Sequence, residues 1–307
     1  MATDEFADSV PTVRVRVPAK INLYLGVGPT RPDGYHELVT VFQAVDLYDE
    51  VAVSAADHLQ VTMRGESAAD VPSGPDNIAW RAASLLAETA HVPPHALIEI
   101  AKSIPVGGGM AGGSGDAAAA LVGCAALWQT GSSRAGLERL AGELGSDVAF
   151  TLVGGTALGT GRGELLPPVL TTGVFHWVLA IADFGISTAA AYAAFDTRAA
   201  GAPLAPEVPD GMLDALRAGD PHRLAPTLAN DLQPDAVKLA PSLRRTLAAG
   251  TELGALAGIV SGSGPTCAFL CPDATAATAL AASLAAEGVC RTTRVAVGPV
   301  AGARTVG

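Results

Sequence analysis

Apolar residues alternate with polar ones early in the chain. In "TVRVRVPAKINLYLGV" (12–27) they recur at every second place, which predicts a strand bulged or broken at Pro18. Alternate side chains share a face, so Lys20, Asn22 and Tyr24 fall on one side and Ile21, Leu23 and Leu25 on the other. The plainest expectation is a half-buried strand with its polar side in water. Turn chemistry follows in "TRPDGYHEL", and the β pattern resumes in "VTVFQAVDLYDEVAVSA" and "LQVTMRG".

At Asp76 or Asn77 the period changes, and Ile78, Ala82, Leu85 and Leu86 take near-helical spacing. "ALIEIAKSIP" predicts a strand, "DAAAALVGCAALWQ" a long helix and "SRAGLERLAGEL" a short one. The pattern is interrupted over 165–173, which divides the chain into an expected first domain, 1–165, and a second, 166–307. Beyond it come a strand "FHWVLAIAD", a helix "STAAAYAAFDT", a Pro-rich surface loop (201–209) and a helix "SLRRTLAAGT". A strand–turn–strand "GALAGIVSGSGPTCAFLC", a helix "TAATALAASLAAE" and a strand "TTRVAVGPV" close the chain. Strands and helices mixed without regular βαβ alternation predict an α+β fold in two parts.

Composition narrows the partners. The 307 residues are 49% hydrophobic, enough for an ordinary core. A net charge of −11 argues against nucleic acid or an anionic membrane as partner. Asp4, Glu5 and Asp8 stand where a secretory signal would be basic and then apolar. Two uncharged windows, 165–182 and 253–272, are broken by Pro-Pro and by Gly-Ser-Gly-Pro, so neither reads as a spanning helix. The four cysteines lack C-x-x-C spacing, which favours reduced thiols over a disulfide framework or zinc site. The expected location is the cytoplasm.

With that charge, any phosphate binding must come from local geometry. "SIPVGGGMAGGSGDAAAA" supplies it: six glycines sit between Val106 and Asp116, directly before a helix. Glycine lets successive N–H groups turn toward one point, and free amides at a helix start add partial positive charge. The sequence lacks G-x-x-x-x-G-K-[ST], so this is no Walker loop. Gly107, Gly109 and Gly112 satisfy G-x-G-x-x-G, yet they lie far into the chain behind Pro105, and Glu138 downstream belongs to a separate helix. A dinucleotide fold would carry that motif on its first strand. Neither H-R-D nor D-F-G follows, which sets protein kinases aside.

Three motifs in order, "PAKINLYLGVGPTRPDGYHEL", "IPVGGGMAGGSGDAAAAL" and "SGSGPTCAFL", resemble the GHMP kinases. "DNIAWRAA", "LGSDVAF" and "NDLQP" support the likeness, which runs from about residue 13 to the end. "PAKINLYL" with "RPDGYH" is most similar to the branch acting on a cytidine diphosphate-linked methylerythritol in the non-mevalonate isoprenoid pathway. The resemblance implies an N-terminal α/β domain and a C-terminal ferredoxin-like α/β domain with the active site between them. It also implies transfer of the ATP γ-phosphoryl to a 2-hydroxyl, assisted by Mg²⁺, in a monomer or weak homodimer.

The same likeness assigns roles. Asp147 accepts the hydroxyl proton, and Lys20 pairs with it and orients the hydroxyl. Asn22 follows on the same face; Tyr35 and His36 take the cytidine end, and Thr188 with Tyr192 a further part of the substrate. Gly262 and Ser263 close the site. Pro105, Val106, Gly107, Gly108, Gly109, Met110, Ala111, Gly112, Gly113, Ser114 and Gly115 form the ATP loop, with Lys102 and Asn77 on the adenosine side and no protein metal ligand assigned. Without the motif, Asp147 reads as a helix cap and Lys102 as a solvated strand-end lysine. The chain departs from the pattern at Gly115, where a second serine is usual, at Ala111 for a glycine and at Ala149 for a proline. A homoserine or mevalonate type of kinase is the alternative, and neither needs a cytidine pocket at "DGYHEL". A catalytically silent ligand sensor on this fold is expected to lose Lys20 or Asp147, and both are present.

Overall fold

The computed structural model describes residues 11–65, 68, 71–199 and 205–307. The acidic start and residues 201–204 of the Pro-rich loop lie outside them. The first half runs β1 (Thr12–Thr30), β2 (His36–Ser54), β3 (Gln60–Gly65), α1 (Ile78–Ala90), β4 (Leu97–Lys102), α2 (Gly112–Leu127), α3 (Arg134–Leu144), α4 (Ser146–Val153) and β5 (Thr156–Gly159). The second half begins β6 (Phe175–Ile181), α5 (Thr188–Arg198), α6 (Met212–Ala218), α7 (Pro221–Leu224), β7 (Ala229–Asn230) and α8 (Gln233–Leu239). It ends with α9 (Ser242–Glu252), β8 (Ala257–Val260), β9 (Cys267–Cys271), α10 (Ala274–Glu287), β10 (Thr292–Gly298) and β11 (Arg304–Val306).

Among the described residues these strands form two sheets. The larger has the order β11-β1-β2-β4-β3, with β5 on β2 and β7 on β1; the smaller is antiparallel, β10-β6-β9-β8. The expected division at 165 assigns β7 and β11 to the second part, yet both hydrogen-bond to β1, so the chain returns twice to the first sheet.

Helix α2 is buried almost all round, with Ala117, Ala118, Ala119, Ala120 and Leu121 fully covered. Small residues let it lie close to the sheet: a Cβ on Gly123 would sit 2.5 Å from Val53. The other face of the first sheet meets the second. Ile21, Leu23, Val41 and Val45 pack there with Phe175, Trp177, Leu179 and Leu270, and the Trp177 indole donates to Gln43 Oε1 at 2.9 Å. Strand β1 is thus enclosed on both faces. Lys20 and Asn22, which alternation alone would place in water and the family resemblance in the site, are 4% and 2% exposed.

The alternation also slips. The expected irregularity at Pro18 is present as a register shift, and a second shift falls between Asn22 and Tyr24. One extra residue reverses which side each later side chain takes. Tyr24 therefore packs with Ile21 and Leu23 in the core rather than beside Lys20, while Leu25 lines the cleft described below. Helix α2 corrects a second expectation. It starts at Gly112, not Asp116, because Ala111 in the left-handed region (φ 60°, ψ 32°) ends the loop. Gly112, Gly113 and Ser114 thereby become helix N-terminal residues. No helix among the described residues is long and apolar enough to cross a membrane.

Candidate active site

A cleft of about 990 Å³ opens between the glycine segment, the β1–β2 hairpin, the start of α4 and helix α5. Its floor is the loop Pro105, Gly107, Gly108, Gly109 and Ala111, leading into Gly112, Gly113 and Ser114. Three successive carbonyls of that loop are drawn back into the protein. Gly108 O accepts from Thr266 N (3.3 Å), Gly109 O from Ser261 Oγ (3.0 Å) and Met110 O from Lys20 N (3.2 Å). Carbonyls tied inward leave the loop and helix amides to serve an anion. Gly109 is required there: its φ is +76°, and a Cβ would lie 2.2 Å from Ser261 O.

Five residues expected on the nucleotide side do not line this cleft. Met110 is fully buried in the core, and Val106 is exposed outside the cleft lining. Gly115 turns toward Val17, 3.3 Å from where its Cβ would be, so it seats α2 on β1. Asn77 caps α1, accepting from Ala79 N at 2.7 Å and donating to Pro72 O at 2.7 Å; its neighbour Ile78 reaches the cleft instead. The Lys102 ammonium is buried beneath the loop between Asp49 and Asp116, 2.8 Å from Asp116 Oδ2. Burial works against its charge, but Asp116 and Asp49 outweigh that and hold it above the usual lysine range. Burial pushes Asp116 up to about 8, with Lys102 opposing and Asp49 reinforcing. The geometry agrees: Asp49 also accepts from Ser103 N and Ile104 N, whereas Asp116 Oδ1 has no hydrogen-bond partner among the described residues.

Across the cleft, Lys20 Nζ donates to Asn22 Oδ1 at 2.7 Å and lies 3.9 Å from Asp147 Oδ2. Asn22 is itself oriented: Nδ2 donates to Thr40 Oγ1 (2.9 Å), which donates to Tyr24 O (2.6 Å). Burial lowers the Lys20 ammonium from its ordinary value, and Asp147 offsets part of that. Asp147 stands in the first turn of α4, and the cap position that its sequence context suggests for it is occupied by Gly145, which offers no side-chain cap.

At the far end, His36 stacks on Tyr192 (5.4 Å between centroids) and meets Phe195 edge-on. Burial pushes the Tyr192 phenol well up, and Asp147 adds to the shift. Tyr35 is exposed at the rim with Arg162 over its ring at 5.0 Å. Thr188 Oγ1 and Ser263 Oγ, 3.0 Å apart, bridge α5 to the β8–β9 turn. Gly262 is folded over the pair below it, its absent Cβ position 3.2 Å from Lys20 Nζ. Every residue expected on the substrate side lines the cleft.

Sequence reasoning missed Thr40, Phe42, Arg162, Glu164 and Asp196, which line it too. Asp196 had a signal: it follows Tyr192 by four places and so shares its helix face. Arg162 had none beyond the turn residues around it.

Two sheets enclosing a glycine loop and a lysine–aspartate pair define a class. Residues 77–155 match the GHMP kinases N terminal domain and 212–290 the GHMP kinases C terminal domain, and the chain belongs to the GHMP kinases. Within them it is 58% identical to the 4-diphosphocytidyl-2-C-methyl-D-erythritol kinase of Mycolicibacterium gilvum, over 97% of this chain and 94% of the relative. The enzyme of that name from Nocardia farcinica is 58% identical, covering 96% of each. A crystal structure of 4-(cytidine 5'-diphospho)-2C-methyl-D-erythritol kinase superposes with a TM-score of 0.76 at 33% identity, over 92% of this chain and 98% of that one. Mevalonate kinase of L. major shares the fold (TM-score 0.75, covering 96% and 98%) at 17% identity.

Proposed function

We propose that this chain transfers the γ-phosphoryl group of ATP to the 2-hydroxyl of 4-diphosphocytidyl-2-C-methyl-D-erythritol, releasing ADP and the 2-phosphate. The observation that carries the reading is the Lys20–Asp147 pair opening onto the same cleft as the glycine loop. Phosphoryl transfer asks for in-line positioning and charge stabilisation more than for covalent chemistry. The loop and α2 amides hold the triphosphate. Lys20, fixed by Asn22, directs its remaining N–H groups at the acceptor oxygen. Asp147 takes the hydroxyl proton as the oxygen–phosphorus bond forms and the bond to ADP breaks. Tyr35, His36 and Tyr192 receive the cytidyl end.

Mg²⁺ is proposed to enter on ATP. Among the described residues no three His, Cys, Asp or Glu side chains gather to hold a metal, and Ser114 is the hydroxyl beside the loop. Such a cation would be bound chiefly by phosphate oxygens and water and would neutralise charge on the triphosphate. A monomer or weak homodimer and a cytoplasmic location are proposed with it.

An ADP-release assay offering the cytidyl substrate, homoserine and mevalonate side by side tests the reading. Turnover of the cytidyl substrate alone is expected. Preference for either of the others overturns the acceptor and leaves the kinase.

A further inference from the structure

The lysine facing the acceptor ends a hydrogen-bonded row whose direction is set at its other end. Tyr24 O is a carbonyl and only accepts, so the Thr40 hydroxyl, 2.6 Å away, places its one hydrogen there. Thr40 Oγ1 is left with acceptor capacity, and the Asn22 side chain at 2.9 Å can meet it only with Nδ2. Asn22 must then turn Oδ1 the other way, where Lys20 Nζ lies at 2.7 Å. An asparagine set in reverse would aim its amine hydrogens at an ammonium. The other neighbours of Nζ, Asp147 Oδ2 at 3.9 Å and the Phe42 ring at 5.5 Å to its centroid, stand beyond hydrogen-bond reach, so Asn22 decides where the ammonium points. Thr40 is opposite Leu25 in register, just past the slip that follows Asn22, and it is fully buried.

We propose that Thr40 is a positioning residue for the phosphoryl transfer: by fixing which way the Asn22 amide faces, it aims the Lys20 ammonium at the acceptor oxygen. With its hydroxyl engaged on both sides and no exposed surface, Thr40 acts through Asn22 and not on the substrate. Lys20 and Asn22 are nearly buried too, so no bulk water stands ready to replace a lost partner. A misplacement of the ammonium by a fraction of its hydrogen-bond length is enough to slow a reaction that depends on orientation. A threonine that merely ties β1 to β2 would change stability and leave the rate of the folded enzyme alone.

The test is the steady-state kinetics of Thr40→Val, Thr40→Ser, Asn22→Ala and the chain carrying both Asn22→Ala and Thr40→Val. Valine keeps the shape of threonine but accepts nothing. Its kcat should fall roughly 10–100-fold, the worth of one misdirected contact to a charged group, while KM for ATP and for the acceptor stay within about threefold. Serine keeps the hydroxyl and should restore kcat to within about threefold of the native chain, on the same reasoning. In the Asn22→Ala background, adding Thr40→Val should change kcat by less than about twofold, because the group it orients is gone. A native kcat in Thr40→Val, a loss that serine does not restore, or an equal loss in both backgrounds overturns the inference. Should Thr40→Val not fold, Thr40→Cys takes its place: a thiol is a weak acceptor, so the same loss is expected, and a native kcat overturns the inference. The inference rests on the reading above that Lys20 orients the acceptor. A native kcat in Lys20→Ala would strike that reading, whereas a crippled Lys20→Ala beside a native Thr40→Val strikes Thr40 alone.

Discussion

Lys20 is held by an amide, not by its opposite charge: Asn22 Oδ1 is 2.7 Å from Nζ, whereas Asp147 Oδ2 is 3.9 Å away. The carboxylate, 37% exposed, is therefore left with room for a hydroxyl between itself and the ammonium. Lys20→Ala and Asp147→Asn should each lower kcat by roughly 10²–10⁴, the span for a positioned acid–base group. Combined, they should cost little more than either alone, because they act on one proton transfer. Steady-state kinetics of the three variants checks this, and an undiminished kcat in Lys20→Ala removes the assignment.

Gly109→Ala should damage the nucleotide side selectively. The new methyl meets Ser261 O at 2.2 Å, and alanine is disfavoured at φ +76°. Displacing that peptide turns its amides off the triphosphate, so KM for ATP should rise about tenfold or more, on the order of the 1–3 kcal/mol of lost polar contacts. KM for the acceptor should move far less. Equal rises in both would refute a loop-specific effect.

Lys102→Met should act on stability rather than on ATP. Its ammonium serves Asp49 and Asp116 in a buried cluster, and removing it leaves the carboxyls without their cation. Breaking such a cluster typically costs about 3–5 kcal/mol. Urea denaturation should show that loss, while any protein that remains folded binds an ATP analogue within a few-fold of the native chain.

Asp116 should make folding depend on pH. Burial keeps its carboxyl protonated up to about pH 8, whereas in the unfolded chain it ionises near the ordinary aspartate value of 3.8. The native state therefore holds a proton that the unfolded state has lost across that window. Stability from this group is full below the unfolded value and is lost as pH rises toward 8, by at most about 1.4 kcal/mol per pH unit. Asp116→Asn cannot titrate. The stability difference between native and variant chains, measured from pH 5 to 9, should shift in the variant's favour up to about pH 8 and then level.

Local chemistry was legible in the sequence wherever one segment does the whole job. The strand over β1 and the glycine loop ahead of α2 depend on neighbours within a few places, whereas Lys20, Asp147, Tyr35 and His36 are singled out through the family resemblance and are brought to one cleft by the packing of separate elements. The slip after Asn22 was hidden because both faces of β1 are buried, so hydropathy carries no parity to lose. Lys102 and Asn77 sit at ends of elements, where a lysine or an asparagine looks the same whether it meets solvent, a buried acid or a ligand. Their partners, Asp49 and Asp116 for one and Pro72 for the other, are chosen by how elements pack. Arg162 reaches Tyr35 only because β5 lies beside β2.

The outer edge of β1 is covered by β11 against Arg14, Val15 and Arg16 and by β7 against Tyr24 and Leu25. Both covering segments come from late in the chain. While the polypeptide is being made, the strand bearing Lys20 shows a bare row of peptide groups that invites pairing with other molecules. Closing such remote contacts is slow. Newly synthesised protein should thus depend on chaperones more than its compact final shape suggests.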